Sequence, residues 1–131
     1  MGLEQEILDS CHVVAIVGLS SNVSKASNHV GSYLKENGYK IIPVNPTEKK
    51  VLGELCYPDL ISIPEKVDLV DIFRRSEEVT PVVEEAIKIG ARAVWMQEGI
   101  VNEAAADKAR NAGLKVVMNK CMFKEHRRLH L

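Results

Sequence analysis

The sequence predicts an α/β fold in which a five-stranded parallel sheet is covered by helices on both faces. Three observations predict it. Short apolar runs rich in β-branched residues recur at 13–17, 40–44, 67–73, 93–96 and 115–118. Segments of helical periodicity, rather than tight turns, separate most of them, as crossover connections between parallel strands require. The first run, Val13-Val14-Ala15-Ile16-Val17, is apolar at every position, whereas a strand with one wet face would alternate.

The elements follow in order. Leu3, Ile7 and Leu8 share one face of a short N-terminal helix. The first strand runs into a small polar loop opened by Gly18, and Ser27 can cap a helix whose Val30, Tyr33 and Leu34 fall on one side. Asn37-Gly38 stops that helix, and the second strand ends at Asn45-Pro46. Pro43 lacks a backbone donor, which places it on an edge or at a point of irregular pairing. From 47 to 64 the pattern is mixed and punctuated by Gly53, Pro58 and Pro64, predicting turns with room for one short helix. The third strand closes at Arg74-Arg75. Thr80-Pro81 starts a helix that Val82, Val83, Ala86, Ile87 and Ile89 carry to Gly90. The fourth strand breaks at Gln97-Glu98-Gly99, Asn102 caps an alanine-rich helix, and the fifth strand leads into Asn119-Lys120-Cys121.

Composition bounds the rest. The 131 residues are a single-domain length, and 46% hydrophobic with 27% charged residues describes a compact soluble domain. A formal net charge of −1 and a pI near 6.4 argue against a general grip on nucleic acid, which needs a basic face. No apolar run approaches the ~20 residues of a membrane span. The start, Met1-Gly2-Leu3-Glu4-Gln5-Glu6, lacks the basic-then-apolar order of a signal peptide, so a cytoplasmic location is expected. The 3 cysteines, Cys11, Cys56 and Cys121, are too widely spaced for a disulfide framework or a paired-cysteine zinc site. Reduced and mostly buried thiols are the expectation.

A strand, a tight loop and a helix in that order make an anion site from backbone alone, because the first turn of a helix leaves N–H groups unpaired at the positive end of its dipole. Gly18 lets the chain turn, Ser20, Ser21, Asn22, Ser24 and Ser27 supply short donors, and Lys25 adds a cation. The alternative is an ordinary connection whose Ser and Asn residues only cap a helix. One glycine of the dinucleotide-type G-x-G-x-x-G is present, so the motif alone has little specificity. In an open parallel sheet, ligands sit beyond the carboxyl ends of the strands. Those ends carry Gly18 to Ser21, Asn45-Pro46, Phe73-Arg74-Arg75, Gln97-Glu98-Gly99 and Asn119 to Cys121, which suits an extended, multiply phosphorylated nucleotide. Arg74-Arg75 reads equally as a solvated pair closing a strand. NAD is disfavoured, since the ribose diol is usually bound by Asp or Glu at the end of the second strand, where this chain has Asn45.

At this point the motifs carry a family resemblance. Val17-Gly18-Leu19-Ser20 with Lys25 and Ser27, Ile42-Pro43-Val44-Asn45-Pro46, Leu52-Gly53-Glu54 with Tyr57-Pro58, Val70 to Arg75, Trp95 to Asn102 and Val117 to Met122 stand in order over nearly the whole chain. The chain resembles the stand-alone CoA-binding domain family, Rossmann-like proteins similar to the nucleotide-binding domain of the succinyl-CoA synthetase alpha subunit. The resemblance implies coenzyme A or an acyl-CoA as the ligand, held noncovalently. Gly18, Ser20, Ser21, Asn22, Lys25 and Ser27 would wrap its phosphates. Asn45, Pro46, Phe73, Arg74 and Arg75 would border its adenosine, and Gln97, Glu98 and Gly99 would lie along the pantetheine. Two positions depart from the family pattern: Val23, where proline is common, and Asn28-His29, where an aromatic then a basic residue is common.

No catalytic set is visible. The synthetase's phosphohistidine belongs to a further domain, so His12, His29, His126 and His130 inherit no such role. His126 and His130 stand at i, i+4 in a charged tail that reads as a solvated helix end rather than a metal site. Cys121 lies at a strand end that a ligand thiol could reach, although a buried inert thiol is the simpler expectation. The chain therefore reads as a binding module for CoA. The alternatives are a CoA-presenting component of an acyl-CoA ligase or transferase system, with a protein partner or a second copy, and a small NAD-dependent oxidoreductase. Neither nucleic acid nor membrane is an expected partner.

Overall fold

Strand β1 (Val13–Val17) lies inside the sheet, with β2 (Lys40–Val44) on one side and β5 (Leu69–Ile72) on the other, both parallel to it. The computed structural model describes residues 2–130, so the two ends of the expected domain, Met1 and Leu131, lie outside the described residues. Two further parallel strands, β6 (Ala93–Met96) and β7 (Lys115–Val117), complete the order β2-β1-β5-β6-β7 of a five-stranded sheet in a single α/β domain. The chain leaves β1 toward one edge and returns over it to build the other half, so strand order reverses between β1 and β5. That reversal point is where an open α/β sheet leaves a crevice.

Side-chain alternation along the strands builds two cores. Val14 and Ile16 of β1, Leu69 of β5 and Ala93 and Trp95 of β6 face a layer formed by α1 (Leu3–Ser10), α2 (Ala26–Glu36) and α5 (Met122–Leu129). Ala15 and Val17, Val70 and Ile72, and Val94 and Met96 face α3 (Val79–Lys88) and α4 (Glu103–Asn111). Both faces of the sheet are covered, which is why its strands read as continuous apolar runs. Because α2 follows β1 onto one face and α3 follows β5 onto the other, the two connections part at the crevice and leave it open.

Local expectations fare unevenly. β2 is an edge strand, as Pro43 requires. Lys40 N donates to His12 O, and Gly18 N donates to Val44 O, so the even-numbered residues carry the ladder and the missing donor of Pro43 points outward. Asn102 caps α4, its side chain accepting from Ala105 N. The expected cap at Ser27 is corrected: Lys25 is the N-cap of α2 and Ser27 stands inside the first turn. The room left for a short helix within 47–64 is filled instead by an antiparallel hairpin, β3 (Lys50–Val51) and β4 (Glu54–Leu55). Its turn holds Leu52 at φ 54 and Gly53 at φ 78, the pair of positive φ values that a type I′ turn demands. A leucine there is sterically unfavourable. Its side chain packs against the α2 core and its carbonyl accepts from Lys35 Nζ at 2.6 Å, which offsets the strain. His126 is corrected too, for it is buried rather than solvated. Tyr33 Oη lies 2.6 Å from its Nδ1, and burial together with the neighbouring His130 lowers its pKa below the usual imidazole value.

Candidate functional site: a cavity at the strand-order reversal

Gly18 shapes the crevice. It adopts φ +91, and a Cβ there would stand 2.3 Å from the carbonyl oxygen of Phe73. Only glycine lets the end of β1 approach the end of β5 this closely while turning out of the sheet. Beyond Gly18 the loop satisfies itself. Ser20 N donates to Ser27 Oγ, Asn22 N to Ser20 Oγ, and Ser24 N and Oγ to Asn22 Oδ1, all between 2.8 and 3.1 Å. Asn28 Nδ2 donates to Ser20 O and Asn45 Nδ2 to Leu19 O. The loop is therefore preorganised before any ligand arrives.

The cavity at this point measures about 470 Å³, within the size range of small-molecule sites. Its wall takes Gly18 and Ser20 from the loop and Lys25, Ala26 and Ser27 from the start of α2. Phe73, Arg74 and Arg75 come from beyond β5, and Ile100 from the segment after β6. Ser20 Oγ and Ser27 Oγ act as acceptors in the bonds above, so each hydroxyl keeps a hydrogen to donate. No side chain caps α2 and no acidic residue stands in its first turn, so the positive end of the helix faces the cavity uncompensated. Among the described residues neither Lys25 nor Arg74 forms an ion pair, whereas Arg75 is tied to Glu77 at 3.7 Å and to Glu78 at 3.2 Å. The cavity thus gathers helix N–H groups, two hydroxyls and two uncommitted cations, with an aromatic ring and an aliphatic side chain beside them. That arrangement is suited to a diphosphate joined to a partly apolar body.

Seven of the sequence-derived candidates meet here: Gly18, Ser20, Lys25, Ser27, Phe73, Arg74 and Arg75. The others lie elsewhere. Ser21 donates both its N–H and its hydroxyl to Glu48, and Asn22 organises the loop from inside. Asn45 is committed as a scaffold: its Oδ1 accepts from Thr47 N and Oγ1, while Pro46 beside it is exposed. Gln97, Glu98 and Gly99 fasten the start of α5 rather than line the cavity. Glu98 pairs with Lys124 at 3.0 Å, and Gly99 N donates to Asn119 Oδ1 at 2.7 Å. Cys121 is the half-buried N-cap residue of α5, also away from the cavity wall.

Gln97 is 3% exposed, and its amide explains an otherwise costly carboxyl. Gln97 Nε2 donates to Asp71 Oδ1 at 2.5 Å, and Gln97 Oε1 accepts from Met122 N at 3.4 Å. Asp71 is fully buried in β5, and its Oδ2 is the one buried side-chain N or O atom without a hydrogen-bond partner among the described residues. Burial pushes its pKa up to about 7, against the pull of the Gln97 and Ile72 hydrogen bonds. The native state therefore holds a proton that the unfolded chain loses near its ordinary value of ~4. The Asp71 contribution to stability falls as pH rises from about 4 to 7 and levels off above. Asp71→Asn is expected to be more stabilising at pH 8 than at pH 5, by roughly 2–3 kcal/mol. Urea unfolding at the two pH values checks this, and an equal effect at both contradicts it.

Residues 12–127 match the family described as CoA binding domain. The chain belongs to that family. It is 38% identical over 122 residues to the protein YneT of Bacillus subtilis (strain 168), covering 93% of this chain and 90% of that one. It is 37% identical over 93 residues to acetate–CoA ligase [ADP-forming] II of Archaeoglobus fulgidus, covering 69% of this chain but only 14% of the ligase. Among solved structures, a hypothetical protein of Pyrococcus horikoshii OT3 superposes with a TM-score of 0.94 at 44% identity, over 96% of this chain and 89% of that one. The dinucleotide-forming acetyl-coenzyme A synthetase 1 of Ca. Korarchaeum cryptofilum superposes with a TM-score of 0.77 at 27% identity, over 87% of this chain and 27% of the synthetase. The CoA-binding domain family thus accounts for the Rossmann-like fold, and the portion shared with the larger enzymes is their CoA-binding part. No helix of the described residues is long and apolar enough to cross a membrane.

Proposed function

We propose that this domain binds CoA or an acyl-CoA noncovalently, with the diphosphate over the start of α2, between Lys25 and Arg74. The observation that carries the reading is the uncapped N-terminus of α2, opening on a cavity that also holds two cations without carboxylate partners among the described residues. Ser20 and Ser27 hydroxyls complete the phosphate contacts. The adenosine lies toward Phe73 and Arg74, and Asn45 supports the loop from beneath. The family match supports CoA as the ligand. NAD fits less well, because Asn45 stands where a carboxylate would bind the ribose diol and its amide is already committed to Leu19 and Thr47. The domain acts as a binding module, and its location is cytoplasmic.

Calorimetric titration with CoA, acetyl-CoA and pantetheine tests this. Since the phosphates carry the binding, CoA and acetyl-CoA bind with similar affinity, and pantetheine, which has no phosphate, binds at least 100-fold more weakly. Pantetheine binding as tightly as CoA would contradict it.

A second reading is favoured by the match to ADP-forming acetate–CoA ligases: the domain presents CoA to a separate acyl-transferring subunit. Recovery of a stable complex with a ligase or transferase subunit from cell extract supports it, and isolation only as free domain or as copies of itself contradicts it.

A further inference from the structure

The loop after β1 already holds an anion supplied by the chain, at Ser21, the residue next to the cavity-lining Ser20. Ser21 N donates to Glu48 Oε2 at 3.0 Å, and Ser21 Oγ donates to the same oxygen at 2.5 Å. A backbone N–H and a hydroxyl converging on one oxygen is also how a loop of this kind grips a phosphate oxygen. Glu48 is presented by a well-tied segment. Asn45 anchors one side of it to Leu19 and Thr47, and Lys49 O accepts from Cys56 N on the other. The Ser21 hydrogen bonds hold the Glu48 carboxyl below its ordinary pKa, so it is charged at neutral pH.

We propose that Glu48 is a built-in competitor of the ligand, a carboxylate on Ser21 that a diphosphate must displace or tolerate, and so a residue that sets affinity for phosphorylated ligands. This inference rests on the CoA reading above. A diphosphate arriving over α2 brings two negative charges to the loop. If Ser21 stays with Glu48, the ligand binds beside a like charge. If Ser21 turns to the phosphate, Glu48 must give up two charge-assisted hydrogen bonds. In both cases the carboxylate weakens binding, and neutralising it strengthens binding.

The test compares CoA affinity of the intact protein, Glu48→Gln and Glu48→Ala. Glu48→Gln keeps an oxygen that can accept from Ser21 and removes only the charge. It is expected to bind CoA about threefold to tenfold more tightly, the size of one near-surface charge interaction. The gain shrinks as salt is raised from 50 to 500 mM, since screening acts on the charge and not on loop shape. Glu48→Ala is expected to bind at least as tightly as the intact protein. Unchanged or weaker binding by Glu48→Gln overturns the competitor role, and so does a gain that salt does not reduce. Weaker binding by Glu48→Ala shows the contact to be scaffolding and overturns the role as well. Failure of the parent reading looks different: no CoA binding by any of the three proteins removes that reading and this one together.

Discussion

Replacing Arg74 by alanine is expected to weaken CoA binding by tenfold or more with little change in stability. Arg74 lines the cavity and is half-buried, so its guanidinium is less screened than an exposed one. Among the described residues no carboxylate pairs with it, so its charge remains for a ligand. A charged hydrogen bond to phosphate contributes roughly 1.5–3 kcal/mol, which is about tenfold to a hundredfold in affinity. Lys25→Ala should fall in the same range, because Lys25 stands at the N-cap of α2, where the helix dipole already favours an anion. Arg75→Ala is the internal control. Its side chain is 76% exposed and bound to Glu77 and Glu78, so its loss should change affinity less than threefold. Equal effects of Arg74→Ala and Arg75→Ala in calorimetric titration would place the phosphates away from the cavity.

Gly18→Ala is expected to be the most damaging single-methyl change in the chain. At φ +91 an alanine is strained by about 1–3 kcal/mol. The added Cβ would also meet the Phe73 carbonyl at 2.3 Å, a backbone atom that cannot move without shifting β5. Strain and clash together should destabilise the fold by roughly 3–5 kcal/mol, and prising β1 from β5 opens the crevice itself. Loss of CoA binding should therefore accompany the loss of stability. Urea unfolding and titration of the same preparation check both, and a variant of near-native stability would show the close approach to be dispensable.

The sheet and the loop were legible because their signals are local. Five consecutive apolar residues before Gly18 mark β1, and the cations and hydroxyls that follow mark the end of the strand at which a ligand sits. Arg74 and Arg75 look identical as a pair in the sequence. Both line the cavity, and what separates them is pairing: Arg75 is tied to Glu77 and Glu78, while Arg74 forms no ion pair among the described residues. The family resemblance implies Gln97 along the pantetheine, whereas in the structure its amide is buried against Asp71. Its true partner was announced by Asp71, a carboxyl within the apolar run Leu69-Val70-Asp71-Ile72 that had to find a donor inside the protein. The hairpin at 50–55 is not legible in the sequence because its turn places Leu52, not Asn or Asp, at a positive φ, and only tertiary packing against α2 makes that tolerable. Glu48 carried no signal, for its bond to Ser21 joins loops from two different strands.

The most direct measurement is native mass spectrometry of the freshly purified protein, with released ligand identified and rebinding titrated with CoA, acetyl-CoA and NAD. CoA or an acyl-CoA is expected to bind one per chain, in preference to NAD. Binding of NAD without CoA would contradict it, leaving the family's fold with a different ligand in the cavity between Gly18 and Arg74.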